Sequence, residues 1–147
     1  MYRKFIWMSL ILIICAGCAA LHYQIIPQEK TGPNGGGLVL IDQRIPEYIE
    51  FVAAPVDAVK GEWKFQIYAY DKNLRPKSIS RTCYVEVELP DGTKKGTNLW
   101  TTKPFFWSRG IAHLENTIKL DSAKEFNVFV TLKGKSEQDT LKFRYPY

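Results

Sequence analysis

From Leu38 onward, apolar side chains recur with a period of two. In Trp63-Lys64-Phe65-Gln66-Ile67-Tyr68, the residues Trp63, Phe65 and Ile67 share one face. Cys83, Val85, Val87 and Leu89 oppose Tyr84, Glu86 and Glu88, and Phe126, Val128, Val130 and Leu132 oppose Asn127, Phe129 and Thr131. Leu141, Phe143 and Tyr145 alternate with Lys142 and Arg144. Successive side chains of a strand point to opposite faces, so each segment predicts a β-strand with one buried and one wetter side. Leu38–Asp42, Tyr48–Ala53 and Thr117–Leu120 are shorter candidates.

Turn chemistry separates these segments. Pro90-Asp91-Gly92 predicts a tight connection between two antiparallel strands. Asp71-Lys72-Asn73 opens a longer loop ending near Pro76, and Lys133 to Asp139 is a polar hairpin connection containing Gly134. Asp121 to Glu125 has room for one helical turn, and no segment carries a long helical stripe. Short strands at this spacing, with too many aromatic residues for one flat sheet to cover, predict an all-β, antiparallel β-sandwich. Thr117-Ile118-Lys119-Leu120, a short corner, then Phe126-x-Val128-x-Val130 resembles the E-to-F passage of immunoglobulin-like domains. The resemblance implies an immunoglobulin-like sandwich. Phe126 has no hydroxyl for the hydrogen bond that a corner tyrosine makes in that family, and the Cys–Trp–Cys framework is missing.

The first eighteen residues follow another rule. Arg3 and Lys4 precede Phe5–Ala16, whose only polar residue is Ser9, and small residues follow. A basic start, an apolar core and a small-residue end describe a secretory signal, with an uncleaved anchor helix as the alternative. The segment closes on Cys15-Ala16-Gly17-Cys18, which resembles the lipobox of bacterial lipoproteins at Ala16, Gly17 and Cys18, with Cys15 where leucine is usual. The resemblance implies diacylglycerol on the Cys18 thiol and cleavage between Gly17 and Cys18. Partition then follows chain number: one acyl chain anchors marginally and two or three hold firmly. The chain therefore divides into residues 1–17 as signal peptide, 18–37 as lipidated cysteine and linker, and 38–147 as the β-domain. Pro27, Gly32, Pro33 and Gly35-Gly36-Gly37 support the linker reading of 19–37. Those residues would reach at most about 60 Å fully extended.

Composition narrows the function. The 147 residues carry 20 basic and 15 acidic side chains, and losing Arg3 and Lys4 with the signal lowers the net charge from +5 to +3. That balance, without a clustered basic stripe, argues against nucleic acid as a partner. With Cys18 lipidated and Cys15 removed, only Cys83 remains, and its parity with Val85 and Val87 makes it a small buried hydrophobe. No Gly-x-Ser-x-Gly, paired-acid or phosphate-loop arrangement occurs, so the expectation is a protein without catalysis or cofactor.

Two features remain for binding. Trp100, Phe105, Phe106, Trp107 and Arg109 form a dense aromatic and basic stretch, which either closes one end of the sandwich or presents rings to a protein partner or a glycan. His113 and Glu115 would share a face if extended, giving two metal ligands where zinc or copper wants three or four. Pro33-Asn34-Gly35-Gly36, Tyr48-Ile49-Glu50-Phe51-Val52 and Ile67-Tyr68-Ala69-Tyr70-Asp71 resemble small envelope domains of metal handling and efflux, which open on His-Gly-Gly. Asn34 stands at the histidine position and is a poor ligand for transition metals.

The reading is a cell-envelope lipoprotein facing the periplasm, held to the bilayer by Cys18, with a non-catalytic binding domain for an envelope protein. Ala19 after the lipidated cysteine leans towards the outer membrane by the enteric sorting rule. A metal-handling or efflux accessory domain and a glycan-binding module are the rivals.

Overall fold

The computed structural model describes residues 25–27, 30–41, 47–57, 59–102, 112–120, 123–134 and 138–147. These contain no helix and eleven strands: β1 (Ile25–Pro27), β2 (Lys30–Thr31), β3 (Gly37–Leu40), β4 (Tyr48–Asp57), β5 (Glu62–Tyr70), β6 (Pro76–Lys77), β7 (Thr82–Glu88), β8 (Lys94–Thr102), β9 (His113–Lys119), β10 (Phe126–Lys133) and β11 (Gln138–Tyr145). The all-β, antiparallel expectation holds; only the pairing of β1 with β11 is parallel among the described strands.

The strands form one hydrogen-bonded path, β1-β11-β10-β7-β8-β9-β5-β4-β3-β2, with β6 paired to β5. The path curls into a half-barrel. Its corner is β8, whose residues Lys94 to Leu99 pair with β7 while Trp100 to Thr102 pair with β9. Sequence patterning missed β8 because Lys94 to Asn98 carries no apolar alternation; pairing with its two neighbours makes it a strand.

Curling brings the apolar faces of the two halves together. Ile49, Phe51, Phe65 and Ile67 come from one half, and Val85, Val87, Val128, Val130, Leu141 and Phe143 from the other, all in one buried cluster. Phe51 stacks on Phe143 with ring centroids 5.2 Å apart and meets Phe65 at 5.3 Å. Trp63 meets Phe126 and Tyr145 edge-on at 5.1 and 4.9 Å. Such offset and edge-on contacts suit the ring quadrupole. Tyr147 reaches back to β4, where the Ala53 N–H donates to its hydroxyl at 2.6 Å. Cys83 is buried on the core face, and burial pushes its thiol up to about 12, which keeps it protonated at neutral pH.

Two turns match their sequence signals. At Pro90-Asp91-Gly92, the Gly92 N–H donates to Leu89 O, and Gly92 adopts φ 83°. After β5, Asp71 Oδ1 accepts the N–H groups of Asn73 and Arg75.

The domain starts earlier than the linker reading placed it. Ile25–Pro27 pairs with β11 and Lys30–Thr31 with β3, so part of the segment assigned to the tether lies in the sheet. These strands are three and two residues long, too short to show a period. They lie at opposite ends of the strand order, yet only two residues separate them in the chain.

Phe51 is fully buried between Phe65 and Phe143. Phe51→Ala is expected to cost about 3–5 kcal/mol of stability, read as a lower urea midpoint at unchanged slope.

Candidate functional site on the outer face of the sheet

The alternation that sends Ile49, Phe51 and Ala53 inward turns Tyr48, Glu50 and Val52 to the opposite face of β4. Register sets Glu50 beside Tyr68 of β5, and Tyr48 beside Tyr70. Gln66 lies between Val52 and Glu115 of β9, and Glu115 faces Trp100 of β8. Thr102 pairs with His113 in the next row. This outer face therefore collects polar and aromatic groups from four strands.

Glu50 is its most unusual member, because a carboxyl on the nominally wet side of a sheet is fully buried here. The cover is the turn from Gly32 to Gly36. Glu50 Oε1 accepts the Asn34 N–H at 2.7 Å and the Gly36 N–H at 3.0 Å. Oε2 accepts from Asn34 Nδ2 at 2.9 Å and from the Tyr70 hydroxyl at 2.8 Å. Asn34 Nδ2 also donates to the Tyr70 oxygen, at 2.5 Å. Burial first, then the hydrogen bond to Glu50, raises the Tyr70 hydroxyl well above the ordinary phenol range.

The glycines here follow from close approach. A Cβ on Gly32 would sit 2.5 Å from Glu50 Cδ, and one on Gly36 would run into the Phe51 carbonyl. Gly35 has open space and is needed instead for its φ of 79°. The Gly35-Gly36 pair does more than let the chain enter its first strand: it brings two backbone N–H groups onto one carboxyl.

A second cluster lies across β5 and β9. Glu115 Oε2 is 3.0 Å from His113 Nε2 and accepts from Gln66 Nε2 at 3.2 Å; the two nitrogens are 3.1 Å apart. The His113 ring lies 4.8 Å from the Tyr68 ring, tilted by 30°. The hydrogen bond from His113, with a smaller one from Gln66, holds the Glu115 carboxyl below the usual range against a partial desolvation penalty. Burial, then the carboxylates of Glu50 and Glu115, raises the Tyr68 hydroxyl.

Chemically, the buried end of this face is saturated. Glu50 already accepts from four donors, matching its four lone-pair sites, which leaves it no capacity as a base or ligand. His113 and Glu115 do meet, as their two-residue spacing on a strand implies, and supply two metal ligands. Among the described residues, no group of three His, Cys, Asp or Glu side chains is placed to hold a metal ion. Cys83 faces the core on the other side of the sheet.

Of the aromatic stretch, Trp100 is placed on β8 and is 67% exposed. Phe105, Phe106, Trp107 and Arg109 lie outside the described residues, as do Gly17 and Cys18. The Asn34–Glu50–Tyr70 network escaped the sequence reading, although all three residues fall in the segments compared with metal-handling domains. The available signal was a glutamate alternating with aromatic residues on a strand that follows a glycine-rich turn. Comparison with known protein families, curated proteins and solved structures finds no match to this chain.

Two outcomes test this geometry. Glu50→Ala strips the acceptor from four donors, and its expected loss is at least about 3 kcal/mol by chemical denaturation, against about 1–2 kcal/mol for Tyr70→Phe. The depressed Glu115 carboxyl contributes stability that is present above the ordinary glutamate value of 4.5 and is lost as pH falls through its folded value. Glu115→Gln should therefore flatten the acid limb of a stability-against-pH curve below about pH 5, with the neutral limb keeping its shape.

Proposed function

We propose that the protein is a cell-envelope lipoprotein, anchored by acyl chains on Cys18 and carrying a non-catalytic, immunoglobulin-like β-sandwich that recognises another envelope component. The observation that carries the anchoring is Ala16-Gly17-Cys18 closing an apolar segment that begins behind Arg3 and Lys4. The strand order supports the finer fold assignment. Strands β4-β5-β9 adjoin in one half and β8-β7-β10-β11 in the other, and the chain crosses between halves from β5 to β7 and from β9 to β10. That is the interleaving of an immunoglobulin-like domain.

The recognition surface in this proposal is the outer face of β4, β5, β9 and β8. Trp100 supplies an exposed ring at one side, of the residue type that anchors interfaces, and Gln66, His113 and Glu115 supply donors and acceptors beside it. The Glu50 network fixes the turn flanking this surface. Regular strands hold these groups in fixed register, as a preorganised recognition surface requires.

The anchoring is tested by Cys18→Ser in a bacterial host. The unsubstituted chain should yield an amino-terminal peptide beginning at Cys18 with acyl mass, and should fractionate with membranes. The variant should keep its signal segment and carry no acyl mass. Identical mass and fractionation of the two chains would refute the anchoring.

A further inference from the structure

The tether is short. If acyl chains sit on Cys18, six residues separate it from Ile25, where the chain enters the sheet. That span reaches at most about 25 Å. The domain is thus held near the lipid, and this favours an orientation in which the end of the sheet where β1 starts lies towards it.

Register identifies that end. β1 runs parallel to β11 and starts beside Thr140, near the beginning of β11. The start of β11 pairs with the end of β10, and the end of β10 with the start of β7. Arg81, just before β7, joins this edge to the other half: it bonds Asp139 at 2.5 Å and lies 3.6 Å from Glu47, just before β4. The same end holds the turn leaving β5, because Tyr70 pairs with both Tyr48 and Pro76.

That turn has an unusual tip. Leu74 is 41% exposed and takes φ 57°, a left-handed conformation that leucine rarely adopts. Asp71 enforces it: its Oδ1 accepts the Asn73 and Arg75 N–H groups, its carbonyl accepts the Leu74 N–H, and its own N–H donates to Arg75 O. The result is a firm loop displaying an apolar side chain between the exposed Lys72 and Arg75. Among the described residues, the acidic groups of this end are occupied within it. Asp71 organises the turn, Glu47 faces Lys77 and Arg81, and Asp139 faces Arg81. Cations flanking an apolar tip suit the headgroup layer of an anionic bilayer, where charge meets phosphate and the leucine reaches the acyl boundary.

We infer that the Asp71–Arg75 turn is the membrane-facing tip of the domain, with Leu74 seated among anionic lipid headgroups between Lys72 and Arg75. This rests on the acyl anchoring proposed above. It adds an orientation: the turn between β4 and β5, whose Val59 is 97% exposed, points away from the lipid despite its greater apolar exposure.

The test uses the full chain purified with its acyl chains and placed in vesicles of phosphatidylethanolamine with or without phosphatidylglycerol. An environment-sensitive dye is attached at Asn73→Cys or, at the far end, at Val59→Cys; the buried Cys83 thiol stays unlabelled. With phosphatidylglycerol present, the dye at 73 should be shielded from aqueous iodide and the dye at 59 should not. Adding Lys72→Glu and Arg75→Glu should weaken the surface binding that produces this shielding by roughly 25-fold, since each of the two basic residues lost is worth about fivefold at an anionic surface. Intact mass is read on every sample. Acylated protein with both dyes equally quenched, with the dye at 59 shielded instead, or with shielding indifferent to phosphatidylglycerol overturns the orientation alone. Protein without acyl mass overturns the anchoring, and the orientation with it.

Discussion

A sheet whose strands each carry one apolar side must cover that side, and in this protein the sheet covers it with itself. The Phe51–Phe143 stack, with Phe65 and Phe126 behind it, joins the two halves that the curl brings face to face. Burial of aromatic and branched side chains is the dominant favourable term in folding, and neither half could supply it alone. The corner at β8 follows from the same requirement. One strand has to leave its first partner and take a second, and β8 does so between Leu99, which is buried, and Trp100, which is exposed.

The outer face obeys a different rule. A buried carboxyl is tolerated only when its lone pairs are filled, and Glu50 fills all four from a turn that precedes it by fourteen to eighteen positions and from one tyrosine that follows by twenty. The same bonds define how the chain enters the domain. With Gly32 and Gly36 leaving room for the carboxyl and for the backbone of β4, the turn packs flat, and β2 pairs with β3 beside it. The entry segment is therefore part of the fold, which shortens the distance over which any anchor at Cys18 could act.

How much could be read from the chain varied with the range of the interaction. Strands β5, β7, β10 and β11 announced themselves because alternation is local: it needs only one strand and one buried side. The Pro90-Asp91-Gly92 turn was equally legible, since its φ requirement sits within the motif itself. β8 was not, because Lys94 to Asn98 is polar and becomes a strand only through its two neighbours. β1 and β2 were hidden for a related reason. Two or three residues carry no period, and proline and glycine nearby have the composition of a tether.

Sequence by itself determined the strand-forming segments, their inward faces, the burial of Cys83 and the basic, apolar and small-residue order of the first eighteen positions. All of these depend on residue type and near neighbours. The tertiary structure decided the rest: that one path of strands curls instead of lying flat, that Asn34, Glu50 and Tyr70 meet, and that His113 finds Gln66 at a separation of 47 residues. Those outcomes depend on strand order and register. Register is settled only when every strand has chosen its neighbours, and a list of residues does not carry that information until the chain has closed on itself.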